Sequence, residues 1–325
     1  MKFAGYAIFI KEINRGVNIM KTILEVKNLS KQYSQNYAVQ NVSLTIREGD
    51  IYGLIGKNGA GKTTLLKLIT QLIEPTSGTI SLFGSSTDKE RSIALKRTGS
   101  VIEIPVAYDQ LTASENLRYY CKLRGIVHAE KIIQDTLSLV HLTDTGSKKF
   151  KKFSLGMKQK LGIAIAILSK PDFLILDEPI NGLDPLAIIE FRQLIQNLNK
   201  EYGMTIIISS HILSELYQIA TRFSFLDNGM FIREISKHEF DQLNNDFIIL
   251  ETTEIEKASQ FLQEQLSLKI KVVHQQQLHI FGELNQINAI TKALVAENIP
   301  INGIHYTKQR LEEYFSQLID SSKEE

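Results

Sequence analysis

The segment Gly56-Lys57-Asn58-Gly59-Ala60-Gly61-Lys62-Thr63 constrains this chain more than any other feature. It fits G-x-x-x-x-G-K-[ST], the pattern of a loop that cradles phosphates. Its flanks agree. Residues 51–55 form an apolar run that reads as a strand, and Leu65, Leu68, Ile69 and Leu72 recur at helical spacing over 64–73 until Glu74-Pro75 stops them. In such a strand–loop–helix unit, glycines let the backbone approach an anion while successive N–H groups and a helix N-terminus point at it. Lys62 supplies a point charge for the β- and γ-phosphates, and the Thr63 hydroxyl is placed to ligate Mg2+. Strands buried on both faces read as continuous apolar runs, and 173–176 and 206–208 are of that kind. The expected fold class is α/β, a parallel core sheet with helices on both sides.

A nucleoside triphosphate site also needs an acid for the metal. Asp177 stands at the carboxyl end of the run 173–176, where open parallel sheets present ligand groups. Glu178 follows directly, placed to polarise an attacking water while Asp177 helps to hold Mg2+. Asp177-Glu178-Pro179 after an apolar run could by itself be an ordinary turn. The phosphate loop upstream is what makes it an acidic pair.

With 325 residues the chain has room for a second domain. The nucleotide-binding unit is expected over 20–236, with a helical insert at about 105–170, where no strand is evident and Thr112-Ala113-Ser114-Glu115 reads as a capping box. After it the alternation restarts: strand 247–251, helix 255–266, strands 270–273 and 278–281, helix 284–297, strand 301–306. That β-α-β-β-α-β order predicts a small ferredoxin-like α+β domain over 237–325. Residues 1–19 hold a short apolar run with no small-residue cleavage site before Lys11-Glu12. They are expected to be a non-native or loose leader ahead of a second start at Met20.

Composition removes several functions. Lysine plus arginine number 37 against 36 acidic residues, a net charge of +1, without the basic excess of a dedicated nucleic-acid binder. The single cysteine, Cys121, cannot form an internal disulfide and reads as a packing residue. The apolar stretches are interrupted by Lys170-Pro171-Asp172 well short of the roughly 20 residues that span a bilayer, so the chain is expected to be soluble. Lys148, Lys149, Lys151 and Lys152 read as a solvated face, with contact to anionic lipid or a partner as the alternative.

From Tyr33 to His211 the motifs resemble those of the ATP-binding cassette (ABC) family. Phe153-Ser154-Leu155-Gly156-Met157 stands where the family has L-S-G-G-Q; Asn181-Gly182-Leu183-Asp184 matches the loop after the acidic pair; Ser210-His211 matches the switch histidine. The resemblance implies a P-loop nucleotide-binding domain with a mixed core sheet, an antiparallel β subdomain and a helical subdomain. It implies that Tyr33 stacks on adenine, that residues 56–64, Thr64 included, hold ATP and Mg2+, and that Glu178 and His211 act in hydrolysis. Ser154 and Gly156 would meet ATP bound by a second copy or a paralogous subunit, two cassettes enclosing two ATP molecules, and Asp184 counts among the ATP-binding residues.

One departure narrows the branch. The family usually has glutamine at the end of the strand leading into the helical insert, and this chain has Glu103. With the Ser154–Gln159 signature, that glutamate resembles the bacitracin-resistance and lantibiotic-immunity branch, and it places Glu103 beside the metal and the catalytic group. The implied function is the ATPase motor of an exporter, cytoplasmic and peripheral on the inner face of the membrane, driving a separate permease. Sodium or lipid-linked export, or a soluble cassette protein acting on ribosomes or DNA, are the alternatives. The last usually carries two cassettes or a long coiled coil, and this chain has one phosphate loop and no heptads.

Overall fold

The computed structural model describes residues 21–85, 87–243, 247–281 and 284–307. The proposed leader and the expected last helix, 310–318, lie outside them. Backbone contacts divide the chain into two units meeting between Glu234 and Ile235.

The first unit begins with β1 (Thr22–Tyr33), β2 (Asn36–Arg47) and β3 (Ile51–Ile55), then α1 (Lys62–Ile69), β4 (Ser77–Leu82), α2 (Asp88–Leu95) and β5 (Thr98–Val101). The helical insert supplies α3 (Ala113–Leu123), α4 (Ala129–Leu139) and α5 (Leu155–Ile167). Then come β6 (Phe173–Leu176), α6 (Pro185–Lys200), β7 (Thr205–Ser210), α7 (Leu213–Tyr217), β8 (Arg222–Asp227) and β9 (Met230–Ser236).

Two sheets result. β2-β1-β4 is antiparallel and packs its inner face, including Leu24, Val26, Leu44 and Ile46, with Leu65, Leu66 and Leu68 of α1. Truncating one such fully buried leucine to alanine costs about 2–5 kcal/mol. The second sheet has the order β5-β6-β7-β3-β8-β9, with parallel ladders from β5 through β8. Every residue of β3, β6 and β7 is buried, the physical reason for their apolar runs. This order sets the carboxyl ends of β6, β7 and β3 side by side, so loops distant in sequence converge on one edge. That edge carries the site.

Several elements differ from the sequence expectation. The first helix ends at Ile69, not 73, because Gln71 takes a left-handed φ of +58° and closes a Schellman turn: its N–H donates to Leu68 O and Leu72 N–H donates to Lys67 O. Leu72, expected on the helix face, is 63% exposed. β1 and β2 run much longer than the apolar runs 23–26 and 42–46 that read as strands in the sequence, and β4 was not expected. Asn228 and Gly229, both at positive φ, form the tight turn between β8 and β9, an Asn-Gly signal present in the sequence. The Thr112/Glu115 capping box forms as expected and starts α3, where Cys121 is buried.

The second unit holds α8 (Lys237–Leu243), β10 (Phe247–Glu251), α9 (Ile255–Glu264), β11 (Lys269–His274), β12 (Gln277–Phe281), α10 (Ile287–Ala296) and β13 (Gly303–Thr307). Its sheet has the order β11-β12-β10-β13 with all neighbours antiparallel, the split β-α-β arrangement of ferredoxin-like domains. Ile248, Leu250, Leu278 and Ile280 of the central strands bury one face against Ala258, Leu262, Ile290 and Leu294 of the two helices. Among the described residues, no helix is long and apolar enough to cross a membrane.

Candidate active site

The loop 56–61 leaves β3 and enters α1 through Gly61, which caps the helix at a φ of +103°. A Cβ on Gly61 would lie 2.3 Å from Ala38 O, and one on Gly56 would lie 2.5 Å from Leu226 O, so both positions require glycine. The loop borders a cleft of about 220 Å³ lined by Ala38, Asn58, Gly59, Gly61, Lys62, Thr63, Thr64 and Glu178. Gly56, Lys57 and Ala60 complete the loop without lining the cleft.

Lys62 is 5% exposed. Its ammonium donates to Gly56 O at 2.7 Å and to Lys57 O at 3.2 Å, and it forms an ion pair with Glu178 Oε1 at 3.0 Å. The chain thus folds back on its own lysine and fixes the charge at the mouth of the helix N-terminus. Anions are favoured there because the first N–H groups of α1 have no helical partner.

The acidic pair follows β6. Asp177 is buried, its N–H donates to Val101 O at 2.9 Å, and its Oδ1 accepts from Ser209 Oγ at 2.7 Å. The same Ser209 hydroxyl accepts from Glu178 N–H at 2.8 Å. Glu178 adopts a left-handed φ of +46°, rare for a residue with a Cβ. Its Oε2 lies 2.8 Å from His211 Nδ1. A carboxylate only accepts, so the imidazole carries its proton on Nδ1 at this contact. Between them, Lys62 and His211 hold the Glu178 carboxylate facing the phosphate loop, in position to take a proton from a water that attacks a bound phosphate.

The structure brings Lys62, Asp177, Glu178 and His211 together as the sequence predicted, and adds Ser209. A single hydroxyl joining the two acids had no local sign beyond the Ser209-Ser210-His211 run at the end of a buried strand. Tyr33 closes β1, 49% exposed, with Lys31 Nζ 5.1 Å from its ring centre. Glu103 stands two residues beyond β5 at a φ of +63°, and its Oε1 lies 2.5 Å from Lys67 Nζ. That bond, the main cause, holds the Lys67 ammonium above the usual lysine range.

Ser154, Gly156 and Asp184 lie apart from the cleft lining. Ser154 caps α5, its Oγ accepting from Met157 N–H at 3.3 Å, and Asp184 caps α6, its Oδ1 accepting from Ala187 N–H at 2.9 Å. The two helix starts abut: a Cβ on Gly156 would touch Ala187 Cβ, and one on Gly182 would press on Leu155 Cδ2. Ser154 and Leu155 are exposed.

Among the described residues no group of three or more His, Cys, Asp or Glu side chains is arranged to hold a metal by itself. A Mg2+ taken up with phosphates needs only one or two protein oxygens, and the Thr63 hydroxyl and Asp177 carboxylate are of the right type. Among the described residues the Asp177 carboxylate bonds only to Ser209, through one oxygen, which leaves the other to serve such an ion.

A family model described as ABC transporter matches residues 39–181. The chain is 43% identical to YcbN of Bacillus subtilis (strain 168), an uncharacterized ABC transporter ATP-binding protein, over 93% of this chain and 99% of the other. It is 39% identical to the bacitracin transport ATP-binding protein BcrA of Bacillus licheniformis, over 92% of this chain and 98% of that protein. It is 40% identical to the lantibiotic transport ATP-binding protein SrtF of Streptococcus pyogenes, over 70% of this chain and 99% of SrtF. A solved dimeric ATP-binding cassette, MJ0796 in a post-hydrolysis state with ADP and Pi, matches with a TM-score of 0.60 at 26% identity, over 66% of this chain and 99% of the other. With relatives this similar along nearly its whole length and a phosphate loop facing a held carboxylate, the chain belongs to the ATP-binding proteins of ABC transporters, which bind and hydrolyse ATP.

Proposed function

We propose that this chain is the motor subunit of an exporter conferring resistance to peptide antibiotics of the bacitracin type. The match to the bacitracin transport protein carries the reading, because it runs through both units of the chain. The lantibiotic relative is matched over nearly all of its own length yet leaves about 30% of this chain without a counterpart, so bacitracin is favoured over a lantibiotic. Glu103 supports the same branch. The chain works at the inner face of the cell membrane with a separate permease, and Mg2+ joins ATP through Thr63 and Asp177, with Glu103 beside it. When bound, the ion neutralises charge on the phosphates.

Co-expression with the neighbouring permease should raise tolerance to bacitracin, and the same pair carrying Glu178→Gln should not. A susceptibility panel of bacitracin, several lantibiotics and sodium stress decides the substrate. A response to sodium alone would move the chain to ion efflux and leave only the ATPase assignment.

The exposed turn at Ser154–Gly156, outside the cleft, supports a sandwich in which it caps ATP held by a second copy. Mixing Ser154→Arg subunits with Lys62→Ala subunits should restore part of the ATPase, since one composite site stays whole. A mixture as inactive as either parent, with heterodimers present, would overturn that arrangement.

A further inference from the structure

Lys67 lies on α1 beyond the phosphate loop. Its ammonium is bonded to Glu103 Oε1 and also feels the negative charge of the Asp177 carboxylate. Those two are the acid beside the metal position and the metal's buried carboxylate. A fixed cation therefore stands among the groups expected to handle Mg-ATP, on the same helix as Lys62.

The backbone explains why Glu103 can meet it. Val101 ends β5, and its carbonyl accepts from Asp177 N–H, so the chain leaving β5 starts from a point tied to the acidic pair. Glu103 then turns through a left-handed φ that a non-glycine residue adopts at a cost, and its side chain is 59% exposed. Nothing buries this carboxylate. Lys67 is its single ion-pair partner among the described residues. The usual glutamine would make no ion pair here.

We propose that Lys67 is a positioning residue for the nucleotide site: it holds the Glu103 carboxylate away from the metal position until Mg2+ arrives with ATP and competes for it, and so sets how much Mg2+ the ATPase needs. This rests on the reading of Glu103 as a group beside the metal. Pairing with an ammonium lowers the field that Glu103 offers to a divalent ion, and an exposed pair is weak enough to exchange at small cost. A cation with a flexible stem suits a partner that must let go.

Mg2+ should be titrated into full-length protein in excess over a non-hydrolysable ATP analogue, and its affinity read by calorimetry. Lys67→Met should tighten Mg2+ by about three- to fivefold, the scale of an exposed ion pair, while affinity for the analogue without Mg2+ does not rise. In a Glu103→Gln background the same substitution should have a clearly smaller effect, since only the field of the ammonium is then removed. Lys67→Arg should keep the wild-type Mg2+ affinity. Equal effects in both backgrounds, or none in either, overturn the proposal. If Glu103→Gln itself leaves Mg2+ affinity unchanged, the reading of Glu103 falls and this proposal with it. If Glu103→Gln weakens Mg2+ but Lys67→Met is silent, only the role of Lys67 is lost.

Discussion

The Glu178→Gln variant should bind ATP and hydrolyse it about 10²- to 10⁴-fold more slowly than the native chain, the loss usual for a general base. Glutamine keeps the length and volume of the side chain, so the contact with His211 can persist through the amide oxygen. What goes is the capacity to take a proton. The change also removes a negative charge 3.0 Å from Lys62, on the wall of the phosphate cleft. Binding of an anionic nucleotide should therefore hold or improve. A subunit that binds but does not hydrolyse should accumulate as an ATP-dependent dimer on size exclusion, and ATPase measured on the same sample completes the test. Near-normal turnover would take the base away from Glu178 and leave it as a partner for Lys62 and His211.

Lys62→Ala should fail one step earlier. The ammonium is buried, so its loss removes the charge placed for the β- and γ-phosphates and takes its hydrogen bond from Gly56 O, while Lys57 O keeps the Ala60 N–H. Glu178 also loses its cationic partner beside the same cleft. A charged hydrogen bond contributes about 1.5–3 kcal/mol, so ATP affinity should drop on the order of 10²-fold. Circular dichroism should show a folded protein while titration with a fluorescent nucleotide shows weak binding. Unchanged affinity in a folded variant would mean that the loop is not the nucleotide site.

What the sequence reveals here depends on whether a function needs a local pattern. The phosphate loop is legible because glycine is forced at Gly56 and Gly61 by carbonyl oxygens, and Lys62 follows at fixed spacing. Asp177 and Glu178 are legible because a fully buried strand ends there. Ser209 is not, since a serine at the end of a strand has no pattern of its own, and only the pairing of β6 with β7 brings its hydroxyl to both acids. The Lys67–Glu103 bond joins a helix to a loop 36 residues away, where Glu103 sits at a left-handed φ that spacing does not announce. The end of α1 was misread for a related reason: the residue at positive φ is Gln71, and the usual marker there is glycine. β4 was missed because it opens on Ser77-Gly78-Thr79, exposed and polar, and takes its register from β1.

The strand order also governs how the chain is made. β3, which leads into the phosphate loop, lies between β7 and β8, and both are synthesised about 150 or more residues later. At about 5–20 residues per second, the ribosome leaves a fully apolar strand without either neighbour for roughly ten seconds or more. For most of that interval the nascent chain holds the complete phosphate loop but not the acidic pair, and throughout it lacks His211. Parallel pairings of such long sequence separation form slowly and keep apolar edges available to other chains. The arrangement that brings three distant loops to one edge therefore gives the newborn subunit a window in which aggregation competes with folding.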